Sequence, residues 1–154
     1  MKSNSSLSGV LHVLLHMAES PNPVTSEVLS RAMRTNPVVV RRTMAGLREA
    51  GLVRSEKGHG GGWSIARPLE AITLLDIYRA IGAPGLFALG HRSDNPHCLV
   101  EKAVNHALDG AFDAAQTLLL ERFAAVTLAS LSADFHAGMV AAGHSIDLEH
   151  AHAQ

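Results

Sequence analysis

The stretch Asn36-Pro37-Val38-Val39-Val40-Arg41-Arg42 decides the fold. Asparagine suits a helix N-cap and proline the first helical position, so a helix starts here. Val40, Met44 and Leu47 recur at helical spacing and form its inward face. Val38, Arg41, Arg42 and Ala45 then face outward near its first turns. Ala50-Gly51 ends the helix, and Gly51 suits the left-handed cap position.

Two helices are expected before it. Leu7, Val10, Leu11, Leu14, Leu15 and Ala18 form one amphipathic stripe. Ser20-Pro21-Asn22-Pro23 closes that helix with a turn. Thr25 is expected to cap a second helix, with Glu27 at its positive end and Val28, Leu29, Ala32 and Met33 on its apolar side. After Gly51 come two short segments, Leu52 to Glu56 and Trp63 to Ala66. Lys57-Gly58-His59-Gly60-Gly61-Gly62 lies between them and reads as a hairpin tip. Thr73 is expected to cap a fourth helix carrying Leu74, Ile77, Tyr78 and Ile81. Residues 83–96 read as a loop or linker.

Two further helical stretches are expected. One starts near Asn95-Pro96 and carries Cys98, Leu99, Val100, Val104 and Leu108. The other runs from about Phe112 to Phe135 without Gly or Pro. Phe112, Ala115, Leu119, Phe123 and Val126 make one stripe of it. Leu120, Ala124, Leu128, Leu131 and Phe135 make a second. A helix apolar on two faces must bury both, one on its own domain and the other most simply on a second subunit. The expected organisation is therefore a winged helix-turn-helix over residues 1–82, a linker over 83–96, a helical dimerisation region over 97–142 and a polar tail over 143–154. The fold class is mainly α with a small β-hairpin wing and a long C-terminal dimerisation helix.

Of the 154 residues, 47% are apolar and 4% aromatic, so an aliphatic core is within reach. The single cysteine excludes an intrachain disulfide framework and any Cys-x-x-Cys pair. No apolar run approaches ~18 residues and no signal-peptide core opens the chain, so a cytoplasmic location is expected. The formal net charge of −1 hides an asymmetry. Residues 1–82 hold ten basic and six acidic side chains, while 83–154 hold three and eight. Within residues 31–67 there are eight basic and two acidic ones, which suits a polyanion.

Helix, helix, turn, helix and glycine-tipped hairpin is the order of a winged helix-turn-helix, whose second motif helix enters the major groove. Arg41 or Arg42 can lie bidentate across a guanine edge. Ser26, Thr35 and Asn36 lie near helix N-termini and suit phosphate contacts. Lys57, His59 and Gly60 lie on the wing, where a cation reaches phosphate or a narrow minor groove. The glycine run lacks a Gly-Lys-Ser/Thr ending, which excludes a P-loop. No catalytic arrangement is identifiable, so no enzyme is expected.

The sequence resembles the Rrf2 family of bacterial winged-helix regulators over about residues 5–135. The resemblance rests on residues 36–42 above, on Leu47-Arg48-Glu49-Ala50-Gly51-Leu52-Val53, on Lys57-Gly58-His59-Gly60-Gly61-Gly62-Trp63, and on Ile72-Thr73-Leu74-Leu75-Asp76-Ile77. It implies a homodimeric repressor bound to double-stranded DNA at a palindromic promoter site. It places the base-reading position on Arg41 and the wing cation on Lys57. Cluster-binding members carry three cysteines after the winged domain. Here Cys98-Leu99-Val100-Glu101 matches a Cys-Leu-Thr-His ligand segment, and Arg92 and Leu86 stand at the other cysteine positions. The chain thus resembles the cluster-free branch, and no cofactor or metal is assigned.

Cys98 reads either as a redox-sensing thiol at a helix N-terminus or as a small buried hydrophobe. His12 and His16 share a helix face at i, i+4, a spacing able to chelate a metal, but the acidic residue paired with such a histidine in unusual relatives is Ser8 here. A thiol-redox, metal or small-molecule sensor, and a winged module that binds protein instead of DNA, stand as the alternatives.

Overall fold

The computed structural model describes residues 6–87 and 98–143. Among these lie helices α1 (Ser6–Glu19), α2 (Ser26–Ala32), α3 (Pro37–Glu49), α4 (Leu74–Ala80), α5 (Leu99–Ala125) and α6 (Leu128–Ala141). Strands β1 (Val53–Glu56) and β2 (Gly62–Ile65) pair antiparallel, Val53 opposite Ile65 and Glu56 opposite Gly62. The fold is a mainly helical winged helix-turn-helix with a two-stranded wing.

Helix α1 is the hub and touches α2, α4, α6 and β2. Its buried residues are Val10, Val13, Leu14 and Met17, so the buried stripe is rotated from the one expected. Leu7, Leu11 and Leu15 are only partly buried. A helix packed from several sides buries more than the single stripe that periodicity marks. The core continues through Leu29, Val40, Met44, Leu47, Leu52, Val53, Trp63, Ile72 and Ile77.

The expected caps form. Thr25, Asn36 and Thr73 each accept a backbone N–H at the start of α2, α3 and α4. Gly51 adopts φ 70° after α3, a conformation that costs a side-chain-bearing residue. The cap of α4 is reciprocal, because Asp76 Oδ2 accepts the Thr73 N–H at 3.0 Å. That bond holds the Asp76 carboxyl below its ordinary 3.8. A depressed native pKa contributes stability that is present above the unfolded value and lost as pH falls through the native one. Asp76→Asn is therefore expected to flatten the acid limb of the stability curve below about pH 4 in denaturant titrations.

The C-terminal half departs from expectation. Helix α5 runs unbroken through Gly110, where a break between Leu108 and Phe112 was expected. The expected single helix from Phe112 to Phe135 is instead two, because Val126 and Thr127 are extended. The reason is backbone pairing. Leu74 N–H donates to Val126 O and Leu128 N–H to Ile72 O, both at 2.9 Å, in an isolated bridge between Thr73 and Thr127. Thr127 then caps α6 in a box with Ser130. The break turns Leu128 fully into the core. The expectations for residues 88–97 and 144–154, including the helix start at Asn95-Pro96, most of the linker and the tail, fall outside the described residues.

A polar cluster ties α6 to α1. Ser132 Oγ donates to Glu19 Oε1 at 3.3 Å, and His136 Nε2 lies 3.1 Å from Glu19 Oε2. Serine, histidine and carboxylate thus meet across 113 residues of chain, which spacing alone does not disclose. The hydroxyl is buried and its proton goes to the carboxylate, so the cluster fastens helices and presents no nucleophile.

Candidate nucleic-acid interface

Helix α3 is set by what lies beneath it. Val40, Met44 and Leu47 are fully buried, worth roughly 1.5–3 kcal/mol each by area burial. With that face fixed, Val38, Arg41 and Arg42 are exposed on the other. Val38 is 61% exposed although apolar. Arg41 Nη1 lies 3.8 Å from Glu27 Oε1 of α2, with both side chains more than half exposed. Such a pair is worth less than about 1 kcal/mol and steers the guanidinium without trapping it.

Asn36 spends its Oδ1 on the Val39 N–H at 3.0 Å, which caps α3. Thr35 is half-buried in the α2–α3 turn, its N–H bound to Ser30 O at 3.0 Å. Lys57, His59 and Gly60 are exposed at the wing tip. The tip is closed by a 3.0 Å bond from Gly61 N–H to Gly58 O.

Ser26 sits elsewhere in the chemistry than a phosphate contact alone requires. Its Oγ accepts the Trp63 Nε1–H at 3.0 Å. Trp63 and Val24 exchange two backbone hydrogen bonds of 2.9 Å, so the wing is fastened to the segment entering α2. A Cβ at Gly62 would lie 2.6 Å from Val24 O, so the approach requires glycine. Arg48 adds a brace, its Cζ 6.0 Å from the Trp63 ring and its Nη1 3.5 Å from Ser55 Oγ. Arg67 Nη2 donates to Ala50 O at 3.1 Å and closes the C-terminal end of α3. Sequence reading missed Trp63, Arg48 and Glu27 as site residues. The lone tryptophan beside a glycine run was the one available signal.

Ser26→Ala is expected to leave the buried indole N–H unsatisfied and to cost about 1–3 kcal/mol in urea unfolding. Loss of DNA affinity with unchanged stability would show that Ser26 acts on phosphate and not on the wing.

A family model described as iron-dependent transcriptional regulator, Rrf2, matches residues 3–134. The chain belongs to the Rrf2 family. This Rrf2 chain is 34% identical to the candidate HTH-type transcriptional regulator YwnA of Bacillus subtilis strain 168 over 126 residues, covering 81% of this chain and 92% of that protein. Among solved structures, one of a candidate DNA-binding protein is 30% identical, with a TM-score of 0.62 over 81% of this chain and 97% of the other. CymR, the global cysteine regulator of B. subtilis, shares the fold at 19% identity and a TM-score of 0.60 over 86% of this chain and 95% of its own. The Rrf2 chain is thus a transcriptional regulator by family and not an enzyme.

Iron dependence in the family raises the question of ligands. Among the described residues no group of three or more His, Cys, Asp or Glu side chains gathers where a metal ion would sit. The chain holds one cysteine, and one thiolate does not hold an iron–sulfur cluster of the usual thiolate-rich kind. The Rrf2 donor set here does not fit that group. Cys98 caps α5 and is exposed, not a buried hydrophobe within the chain. Backbone N–H groups of Glu101 and Val100 draw its thiol below the ordinary 9.0.

Proposed function

We propose that the chain is a homodimeric repressor of the cytoplasm that binds a palindromic promoter site in double-stranded DNA. Residues 1–82 form its reading domain, 83–96 a linker, 97–142 the dimerisation region and 143–154 a tail. The observation that carries the reading is the outward row Val38, Arg41 and Arg42 on a helix held by three fully buried residues, beside a wing fastened through Trp63. Arg41 reads base edges with Arg42 alongside. Ser26, Thr35, Asn36, Lys57, His59 and Gly60 meet the backbone and the minor groove.

The dimer reading is supported by α5. Its 27 residues span about 40 Å and include none that is buried. Leu99, Val100, Val104, Leu108 and Leu118 are exposed along it. Among the described residues, Tyr78 edge-on to Phe123 and Phe87 stacked on Phe112 cover part of it. A second copy covers the rest at least cost.

The test is fluorescence anisotropy on promoter fragments across salt, with sedimentation in parallel. A dimer making 6–10 phosphate contacts loses roughly a thousandfold or more in affinity between 50 and 200 mM salt. Sedimentation should give twice the 16.3 kDa chain mass. A flat salt response, or no retained fragment at low salt, favours a protein-interaction module. A second reading adds a redox input at Cys98, supported by its exposure and lowered pKa. Peroxide treatment followed by mass spectrometry and a DNA-shift assay tests it, and an unchanged shift in Cys98→Ser rejects it.

A further inference from the structure

The two neighbouring arginines on the outward row of α3 differ in their surroundings. Arg41 Nη1 lies 3.8 Å from Glu27 Oε1, and both side chains are more than half exposed. Arg42 has no acidic partner among the described residues. Glu27 has a cation closer in sequence, Arg31, at the i+4 position of α2 that favours such pairs. It nonetheless pairs across to α3. A carboxylate in the first turn of α2 thus stands on the same side of the molecule as the outward row of α3. Such a charge is unfavourable against a polyanion, and a cation beside it offsets the repulsion.

We propose that Glu27 is a specificity-determining residue that keeps Arg41 on base edges and off phosphate. The inference rests on the base-reading role proposed above for Arg41. With the carboxylate at Nη1, the other edge of the guanidinium, Nε with Nη2, presents two N–H donors that match guanine O6 and N7. An arginine on a flexible stem has a second option, the nearest phosphate. Taking it parts Arg41 from Glu27 and leaves the carboxylate unpaired beside the DNA backbone. That cost falls on any complex in which Arg41 sits on phosphate, as on DNA that offers it no matching base. It is absent when Arg41 reaches a base with Glu27 still alongside. Arg42, without such a tether, is the cation of the two that meets phosphate on every sequence. At this distance and exposure the ion pair contributes little to folding stability, so its effect lies in the choice between two bound states. Glu27 therefore acts by weakening non-cognate binding, not by strengthening cognate binding.

Fluorescence anisotropy on two duplexes reads that choice, one selected from a random pool by the parent protein and the other its scrambled sequence. Full-length Glu27→Gln, Arg41→Ala and the double variant are compared with the parent across salt. Glutamine keeps the shape of an exposed side chain, so the fold is retained. Glu27→Gln is expected to bind the scrambled duplex about threefold more tightly per chain, the effect of one unit charge ~6 Å from a phosphate in water. Its salt slope on that duplex steepens by about one per chain, because Arg41 then neutralises a further phosphate. The selected duplex gains less, so the specificity ratio falls, and base preference relaxes at the position that Arg41→Ala relaxes. In the Arg41→Ala background, removing the carboxylate changes neither slope nor profile. A parent-like ratio and profile in Glu27→Gln, beside a relaxed Arg41→Ala profile, overturn this inference alone. A gain of equal size with and without Arg41 overturns it too, since Glu27 then acts as a bare charge. A parent-like profile in Arg41→Ala overturns the base-reading role itself, and the role of Glu27 with it.

Discussion

Arg41→Ala is expected to weaken binding to a palindromic site by roughly 1–3 kcal/mol per half-site and to relax preference at one base position in each. A dimer carries the loss twice. The side chain leaves an exposed face of α3, so its removal does not disturb the core. Its ion pair to Glu27, at 3.8 Å, is solvent-screened. Stability should therefore stay within about 0.5 kcal/mol of the parent. Lys57→Ala makes the contrast. On the proposed function, removing this wing cation is expected to weaken all sequences alike and to reduce the salt slope by about one per site. Selection of bound sequences from a random DNA pool distinguishes the two. An Arg41→Ala profile identical to the parent's would sink the base-reading assignment.

Gly46→Ala should destabilise the fold even though alanine favours helix. Propensity alone predicts a gain of about 1 kcal/mol in mid-helix. A Cβ at Gly46, however, would stand 2.5 Å from the Ala80 carbonyl oxygen, a backbone atom of α4 that cannot rotate away. Relief requires α3 and α4 to separate, which loosens Val40, Met44, Leu47 and Ile77 together. Overpacking of this kind costs typically 1–3 kcal/mol or more, so the clash outweighs propensity. At roughly 2–4 °C per kcal/mol the melting midpoint falls by several degrees. Gly138→Ala is the control. Nothing lies within 4 Å of its Cβ position in α6, and a small rise is expected. A stabilised Gly46→Ala would falsify the close approach of the two helices.

Local chemistry explains what could be read in advance. Asn36-Pro37 starts α3 because cap and fixed φ are properties of those two residues, and the glycine-tipped hairpin is equally local. The outward arginines follow from helical period once the inward row is known. What escaped reading is set by partners distant in sequence. The break at Val126-Thr127 needs the backbone of Ile72 and Leu74, and no breaker residue marks it. Ser26 reads as a helix-start hydroxyl until Trp63, 37 residues on, claims it. Glu27 reads as a dipole-stabilising acid until Arg41 comes within 3.8 Å.

The return of α6 onto α1 also bears on how the chain is made. Leu128 completes the same core that Val10 and Leu14 begin, and Ser132 and His136 secure Glu19. During synthesis from the N-terminus, the reading helix and wing emerge well before the residues that close the core over α1. The half proposed to meet DNA therefore reaches full rigidity only when the C-terminal helices have left the ribosome, so a nascent chain stalled before Leu128 holds an unfinished fold.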